Sequence, residues 1–206
     1  MAENQSSVLK LGSHNSWSFA PTQWYIPHFI CKCQKLNIEE QYNAGVRLFD
    51  LRLRLEDLCK WRVAHGSAFF AVDWREDLAW LSNKEDCYVR VVLEYNKKPE
   101  NCELIESLFK GYCELLTSRF PKVKFFGGNR KWDWKRLYEF ENPDEPLLDK
   151  YSSTTSWFKS KNRFLKIIDD WWPWLYAKFH NKEIRKHYEL YGPSDKWLFI
   201  DFVTYD

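Results

Sequence analysis

Residues 46–53 read Val-Arg-Leu-Phe-Asp-Leu-Arg-Leu. The apolar positions are strand-like, but Arg47, Asp50, Arg52 and then Arg54 interrupt them. So many charges are odd in a strand of a surface hairpin. In a strand of a parallel barrel they are expected, because the polar residues gather at one mouth. Working outward, Val8–Leu11 is a short apolar run that stops at Gly12-Ser13, and Arg62–His65 is a third short strand that stops at Gly66. Val72–Asn83 has helical spacing at Trp74, Leu78 and Leu81. Tyr88–Leu93 is branched and apolar, as a strand buried on both faces should be, and it runs into Glu94-Tyr95-Asn96. Pro99 opens an amphipathic helix through Leu104, Ile105, Leu108, Phe109, Tyr112, Leu115 and Leu116. Val123–Phe126 is a strand closed by Gly127-Gly128, and Trp197–Val203 is a last strand carrying Asp201. Strands alternating with helices predict an α/β fold with mainly parallel strands. A full eight-fold barrel needs about 250 residues. At 206 residues the chain is expected to be an irregular, shortened TIM-type (β/α) barrel forming one domain over 1–206. The motif-bearing half is 8–96 and a divergent half is 97–206.

Composition narrows the function. Lys and Arg number 31 against 29 Asp and Glu, a net charge of +2, which argues against a nucleic-acid partner. Twelve Trp, 11 Tyr and 15 Phe in so short a chain suggest large rigid side chains that fill a core, a ligand cleft or a membrane-facing rim. No stretch of 18 apolar residues occurs, and Met1–Lys10 lacks a basic and then apolar leader. The expectation is a cytoplasmic protein with six reduced cysteines. His28, Cys31 and Cys33 form half of a zinc pattern, with Cys59 nearby and no second pair to complete it.

The polar residues fall at strand ends. His14 and Asn15 follow the first strand, Asp50 and Arg52 lie in the second, His65 ends the third, Glu94 ends the fourth and Asp201 lies in the last. In a parallel barrel all carboxyl ends open on one face, so these side chains converge there. Two imidazoles and a guanidinium suit phosphodiester chemistry. One neutral His takes a proton from an attacking hydroxyl and a second, protonated, gives one to the leaving alkoxide. Arg52 grips two phosphoryl oxygens at once. A hydroxyl already on the substrate beside the phosphate removes the need for a metal-activated water.

At these residues the sequence resembles the X-domain family of phosphatidylinositol-specific phospholipase C, in its small bacterial and X-domain-only members. The matching stretches are Leu11-Gly12-Ser13-His14-Asn15-Ser16-Trp17, residues 41–52 (Gln-Tyr-Asn-Ala-Gly-Val-Arg-Leu-Phe-Asp-Leu-Arg), and Ala64-His65-Gly66. The similarity is clear from Leu11 to about Asn96 and faint beyond, apart from Phe199–Val203. The resemblance implies an irregular TIM barrel. It also implies cleavage of a phosphoinositide between glycerol and phosphate, by attack of the inositol 2-hydroxyl to give a cyclic phosphate. It makes His14 the general base, His65 the general acid, Arg52 the phosphate-binding cation, Asp50 its partner and Asp201 the residue that orients His14. Asn15, Glu94 and Trp17 are expected to contact substrate. No cofactor is implied for the metal-independent branch. However, Asn15 and Glu94 match the calcium-dependent branch, so a Ca²⁺ ion, if used, would sit on Asn15, Asp50 and Glu94. The preferred reading is that Asp50 and Glu94 hold Arg52 and no metal enters.

Lys159–His187 carries eight Lys/Arg and three Asp/Glu, a local +5, so the rest of the chain is −3. With Trp171-Trp172-Pro173-Trp174, and with Gln23-Trp24-Tyr25-Ile26-Pro27 after the first motif, it reads either as a solvated helix or as a rim that meets an anionic membrane. Two further readings of the site stay open: a phosphodiesterase for a soluble sugar or nucleotide diester, and a non-catalytic binder of a phosphorylated ligand. The oligomeric state leaves no mark on the sequence.

Overall fold

The computed structural model describes residues 10–23, 26–57, 60–95, 99–129, 147–148, 161–191 and 197–204. Six parallel strands form the main sheet: β1 (Leu11–Ser13), β2 (Val46–Asp57), β5 (Tyr88–Leu93), β6 (Lys124–Asn129), β7 (Leu147–Leu148) and β8 (Trp197–Ile200). Their order across the sheet is β6-β5-β2-β1-β8-β7. The chain is therefore an α/β fold with a mainly parallel sheet. Among the described residues β6 and β7 do not pair, so the sheet is open there.

Strand β2 organises the rest. Leu48, Phe49, Leu51 and Leu53 are all fully buried, each contributing about 1.5–3 kcal/mol on burial. Side chains alternate across a strand, so Leu48, Asp50 and Arg52 share one face, and Phe49, Leu51 and Leu53 the other. The first face is the barrel interior. Gly12 lies so close to Leu48 and Phe199 that a Cβ there would come within 2.9 Å of both side chains. The opposite face packs outward, where Phe49 meets the edge of Trp17.

The structure alters several sequence expectations. The first described strand is Leu11–Ser13, and residues 1–9, with Val8 and Leu9 of the expected run among them, lie outside the described region. Strand β2 runs on to Asp57, and its last residues pair antiparallel with β3 (Lys60–His65), which pairs antiparallel with β4 (Ala68–Phe69). So β2 is a barrel strand in its first part and a hairpin strand in its last. His65 arrives from that hairpin, not from the carboxyl end of a parallel strand. Gly127 and Gly128 do not close β6 but sit inside it. A Cβ on Gly127, whose φ is 137°, would lie 1.9 Å from the Val91 carbonyl oxygen, so only glycine allows that approach. Strand β8 stops at Ile200, which leaves Asp201 just past its end.

Six helices are described: α1 (His28–Cys31), α2 (Ile38–Asn43), α3 (Trp74–Leu81), α4 (Cys102–Arg119), α5 (Arg163–Trp171) and α6 (Pro173–Tyr191). Two have legible starts. Asn37 and Glu40 form a reciprocal capping box on α2, and the Asp73 carboxylate accepts the Arg75 amide at the start of α3. In α4, Ile105, Phe109, Cys113 and Leu116 are buried at helical intervals, and Trp61 stacks on Tyr112.

Candidate active site

The site is built at the end of β1, where the chain makes a 3₁₀ turn (Ser16–Phe19). Asn15 takes up a left-handed conformation (φ 52°, ψ 51°), which Asn tolerates better than most residues. Its amide donates to Asp50 Oδ2 at 2.9 Å, and the Ser16 hydroxyl accepts the Asp50 amide at 2.7 Å. These two bonds lock the His14 turn onto β2.

Around His14 the partners are fixed by chemistry. A guanidinium only donates, so Arg52 Nη2, 2.6 Å from His14 Nε2, makes Nε2 an acceptor. Nδ1 then carries the proton and donates it to Asp201 Oδ1 at 2.6 Å. The ring is thus neutral with its lone pair on Nε2, the form a general base needs. His14 also lies edge-on to Phe199. Arg52 is spread over three directions, with Nε donating to Asp50 Oδ2 at 2.7 Å, Nη1 to Glu94 Oε2 at 3.5 Å and Nη2 to His14. Burial lowers the pKa of Arg52, but Asp50 and Glu94 more than reverse this and leave it raised.

His65 completes the group. Its Nδ1 is 3.0 Å from the Cys31 carbonyl, which can only accept, so Nδ1 is the protonated nitrogen. Glu94 Oε1 accepts the Gly66 amide at 3.1 Å, tying the turn after His65 to the carboxylate that holds Arg52. Burial first, and then the charge of Arg52, push the His65 pKa down to about 4, with Glu94 pulling the other way. His65 is therefore neutral in the resting site. A histidine in the unfolded chain titrates near 6.5. Stability held through neutral His65 is full above about 6.5 and is lost as the pH falls toward 4. Urea titrations at pH 7 and pH 4.5 are expected to show the wild type losing roughly 2–3 kcal/mol more than His65→Gln over that interval. Equal losses in the two proteins would contradict the low pKa.

The expected residues His14, Arg52, Asp50, Glu94, Asp201 and His65 thus belong to one connected group. Asn15 reaches it through its backbone, while its side-chain amide turns toward Cys33 Sγ at 3.7 Å. Trp17 does not reach it. Its indole is buried in the core and donates to Asp77 at 2.7 Å, because the 3₁₀ turn points it behind the sheet. The oxygens considered for Ca²⁺ do not fit that ion. The guanidinium of Arg52 already holds the Asp50 and Glu94 carboxylates and puts a fixed positive charge where the ion would sit. Nor does the zinc half-pattern assemble around His28, whose Nε2 is 3.0 Å from the Ser18 carbonyl. Cys59 lies outside the described residues.

Sequence reading missed the supporting residues. Gln34 is fully buried, and its amide nitrogen donates to the carbonyls of His14 (2.9 Å) and Ile200 (3.0 Å). Its Oε1 accepts the Val203 amide, so one side chain joins the ends of β1 and β8 that carry His14 and Asp201. Asn181 of α6 donates to the carbonyls of Asp201 and Phe202, both at 2.8 Å. Arg90, hidden among the valines of β5, comes within 3.8 Å of Asp50 Oδ1. An arginine inside an otherwise apolar strand was the available signal.

No protein-family model matches the chain, and no curated protein matches it by sequence. Solved structures do match. The phosphatidylinositol-specific phospholipase C from Listeria monocytogenes superposes with a TM-score of 0.56 at 16% identity, over 96% of this chain and 89% of that one. A point mutant of the Staphylococcus aureus enzyme gives 0.62 at 17% identity, over 98% of this chain and 87% of that one. The chain has the fold of bacterial phosphatidylinositol-specific phospholipase C. That accounts for the irregular barrel. A further Staphylococcus aureus structure, solved in a study of the enzyme's membrane binding, matches at 0.52 and 16% identity over 96% of this chain and 72% of that one. At these identities the likeness is one of fold.

Proposed function

We propose that this protein is a phosphorus–oxygen lyase that cleaves phosphatidylinositol or a related inositol phosphodiester through a cyclic phosphate. The observation that carries the reading is the tautomer of His14, held as a base by Asp201 on one nitrogen and Arg52 on the other. An entering phosphodiester takes over the Arg52 Nη2 donor, and the inositol 2-hydroxyl takes over His14 Nε2. As the hydroxyl oxygen attacks phosphorus, its proton passes to Nε2, and Asp201 stabilises the imidazolium that forms. The bond to the glycerol oxygen breaks, and His65 Nε2 gives that oxygen a proton. Neutral His65 must first take a proton from solvent onto Nε2, and the phosphate anion promotes this by offsetting the charge of Arg52. The same guanidinium stabilises the charge that grows on the phosphoryl oxygens.

The test is phosphorus NMR of the purified protein with phosphatidylinositol vesicles. A cyclic inositol phosphate resonance is the expected first product. Turnover of only a non-inositol diester, or ligand retained without cleavage, would overturn the proposal in favour of the soluble-diester or binder reading.

A lipid surface as the place of action has its own support. On α5 the side chains of Phe164 and Trp171 are 69% and 62% exposed, and Ile167 between them is also exposed. At this spacing they share a helix face, flanked by exposed Lys161, Arg163 and Lys166. Trp172 and Trp174 are half-buried, and Trp24 and Tyr25 lie outside the described residues. Exposed Phe29 lies on α1, which contacts α6 and carries the Cys31 carbonyl that holds His65. Among the described residues no helix is long and apolar enough to cross a membrane. Binding to vesicles containing phosphatidylserine is expected to weaken as salt rises, and by at least about tenfold in the double variant Phe164→Ser/Trp171→Ser. Co-sedimentation unaffected by both changes would remove the lipid-surface reading.

A further inference from the structure

The catalytic reading leaves one group unused. Cys33 is buried with its thiol beside the His14–Asp201 pair, and acid–base chemistry gives it no task. His14 Nδ1 or Nε2, Cys33 Sγ and an Asp201 carboxylate oxygen all lie within 4.8 Å of one another. We propose that His14, Cys33 and Asp201 form a binding site for a thiophilic divalent cation of the zinc class, and that its occupation switches off the His14 base.

The ligand set is suited to zinc. One thiolate, one imidazole and one carboxylate are three of the four ligands of an open tetrahedral site, and a water completes it. Ligand atoms around such an ion stand about 3.3–3.8 Å apart, so Nδ1 and Oδ1, now 2.6 Å apart, separate to admit it while all three ligand atoms start within 4.8 Å. The thiolate and carboxylate together neutralise the dication, and the sulfur selects against Ca²⁺ and Mg²⁺, which prefer oxygen. The ligands are also held from behind. The Ser18 hydroxyl accepts the Cys33 amide at 2.8 Å, the Cys33 carbonyl accepts the Phe202 amide at 2.7 Å, and the Ile200 carbonyl accepts the His14 amide at 2.9 Å. Nδ1 is the ring nitrogen on the Asp201 side, and it is the one that would bind the ion.

The proton balance explains the inhibition. The Cys33 thiol proton leaves to solvent and the sulfur bonds the ion. The imidazole proton moves from Nδ1 to Nε2, because the metal now uses the Nδ1 lone pair. Nε2 becomes a donor, can accept no proton from a hydroxyl, and faces the donor Arg52 Nη2, which must turn away. The site itself does not depend on the proposed catalysis; only the inhibition rests on it.

Zinc-edge X-ray absorption on the wild-type protein, with one equivalent of Zn²⁺ under reducing conditions, is expected to show one sulfur at about 2.3 Å and nitrogen or oxygen neighbours at about 2.0–2.1 Å. No sulfur, or two, would overturn the site. With Co²⁺ as the probe, a thiolate charge-transfer band is expected in the wild type and in Cys113→Ser. It should be absent from Cys33→Ser, whose Zn²⁺ affinity should fall at least about 100-fold. A band that survives in Cys33→Ser would also overturn the site. In the phosphatidylinositol assay, Zn²⁺ should abolish turnover reversibly by chelation. Turnover unchanged with the spectroscopic site filled would overturn the switch. Absence of turnover without zinc would instead sink the catalytic reading and leave the metal site standing.

Discussion

His14→Ala and His65→Ala are each expected to lower kcat for phosphatidylinositol by about 10³–10⁴-fold, and a change of leaving group should tell the two roles apart. With a nitrophenyl ester of inositol phosphate, the departing oxygen is stable as an anion and needs no proton. His65→Ala should then recover most of its activity, while His14→Ala stays inactive because the attacking hydroxyl still needs a base. Equal losses on both substrates for both variants would exclude the division of labour. The fold should survive His65→Ala, which removes one hydrogen bond to the Cys31 carbonyl and leaves that oxygen the Cys33 thiol as a donor. His14→Ala should cost about 1–3 kcal/mol, since it strips the buried Asp201 carboxylate of a hydrogen bond. Near-normal turnover in either variant would refute the assignment.

Arg52→Lys is expected to lower kcat by about 10²–10³-fold although the charge is kept. The guanidinium serves Asp50, Glu94 and His14 from three different nitrogens, and one ammonium at the end of a flexible stem cannot point in all three directions. Arg52→Ala should add a structural cost that Arg52→Lys largely avoids. Two carboxylates with fully buried side chains would lose their shared cation, a loss of about 3–5 kcal/mol, or roughly 6–20 °C in Tm for a chain of this size. Wild-type kcat in Arg52→Lys would mean that the phosphate is held by another group, with Arg90 the first to examine.

The parts legible in the sequence were those set by local pattern. The strand 88–93 was read to the residue, because a branched apolar run bounded by polar residues has little else to become. The interior face of β2 was legible in its charges, since residues two apart on a strand must share a side. The parts not legible depend on partners distant in the chain. Nothing in residues 60–65 shows that they fold back on the far end of β2, so His65 was assigned to a parallel strand's carboxyl end. It meets the site all the same, because the hairpin returns it to the level of Glu94. Trp17 was expected to touch substrate, but a residue in a tight turn has no period to say which way it points. Gln34 and Asn181 gave no signal at all. A buried amide is recognisable only once the carbonyls it satisfies have been brought to it.

By itself the sequence determined which reactive groups the protein has and that Asp50 and Arg52 share one side of β2, since alternation along a strand follows from backbone geometry alone. Only the tertiary structure decided what those groups are. Arg52 is a donor to His14, His65 is neutral at rest, and Cys33 stands beside the His14–Asp201 pair. Protonation, tautomer and ligation depend on distances of a few ångströms between residues as far apart as 14 and 201, and a chain acquires such distances only when it folds.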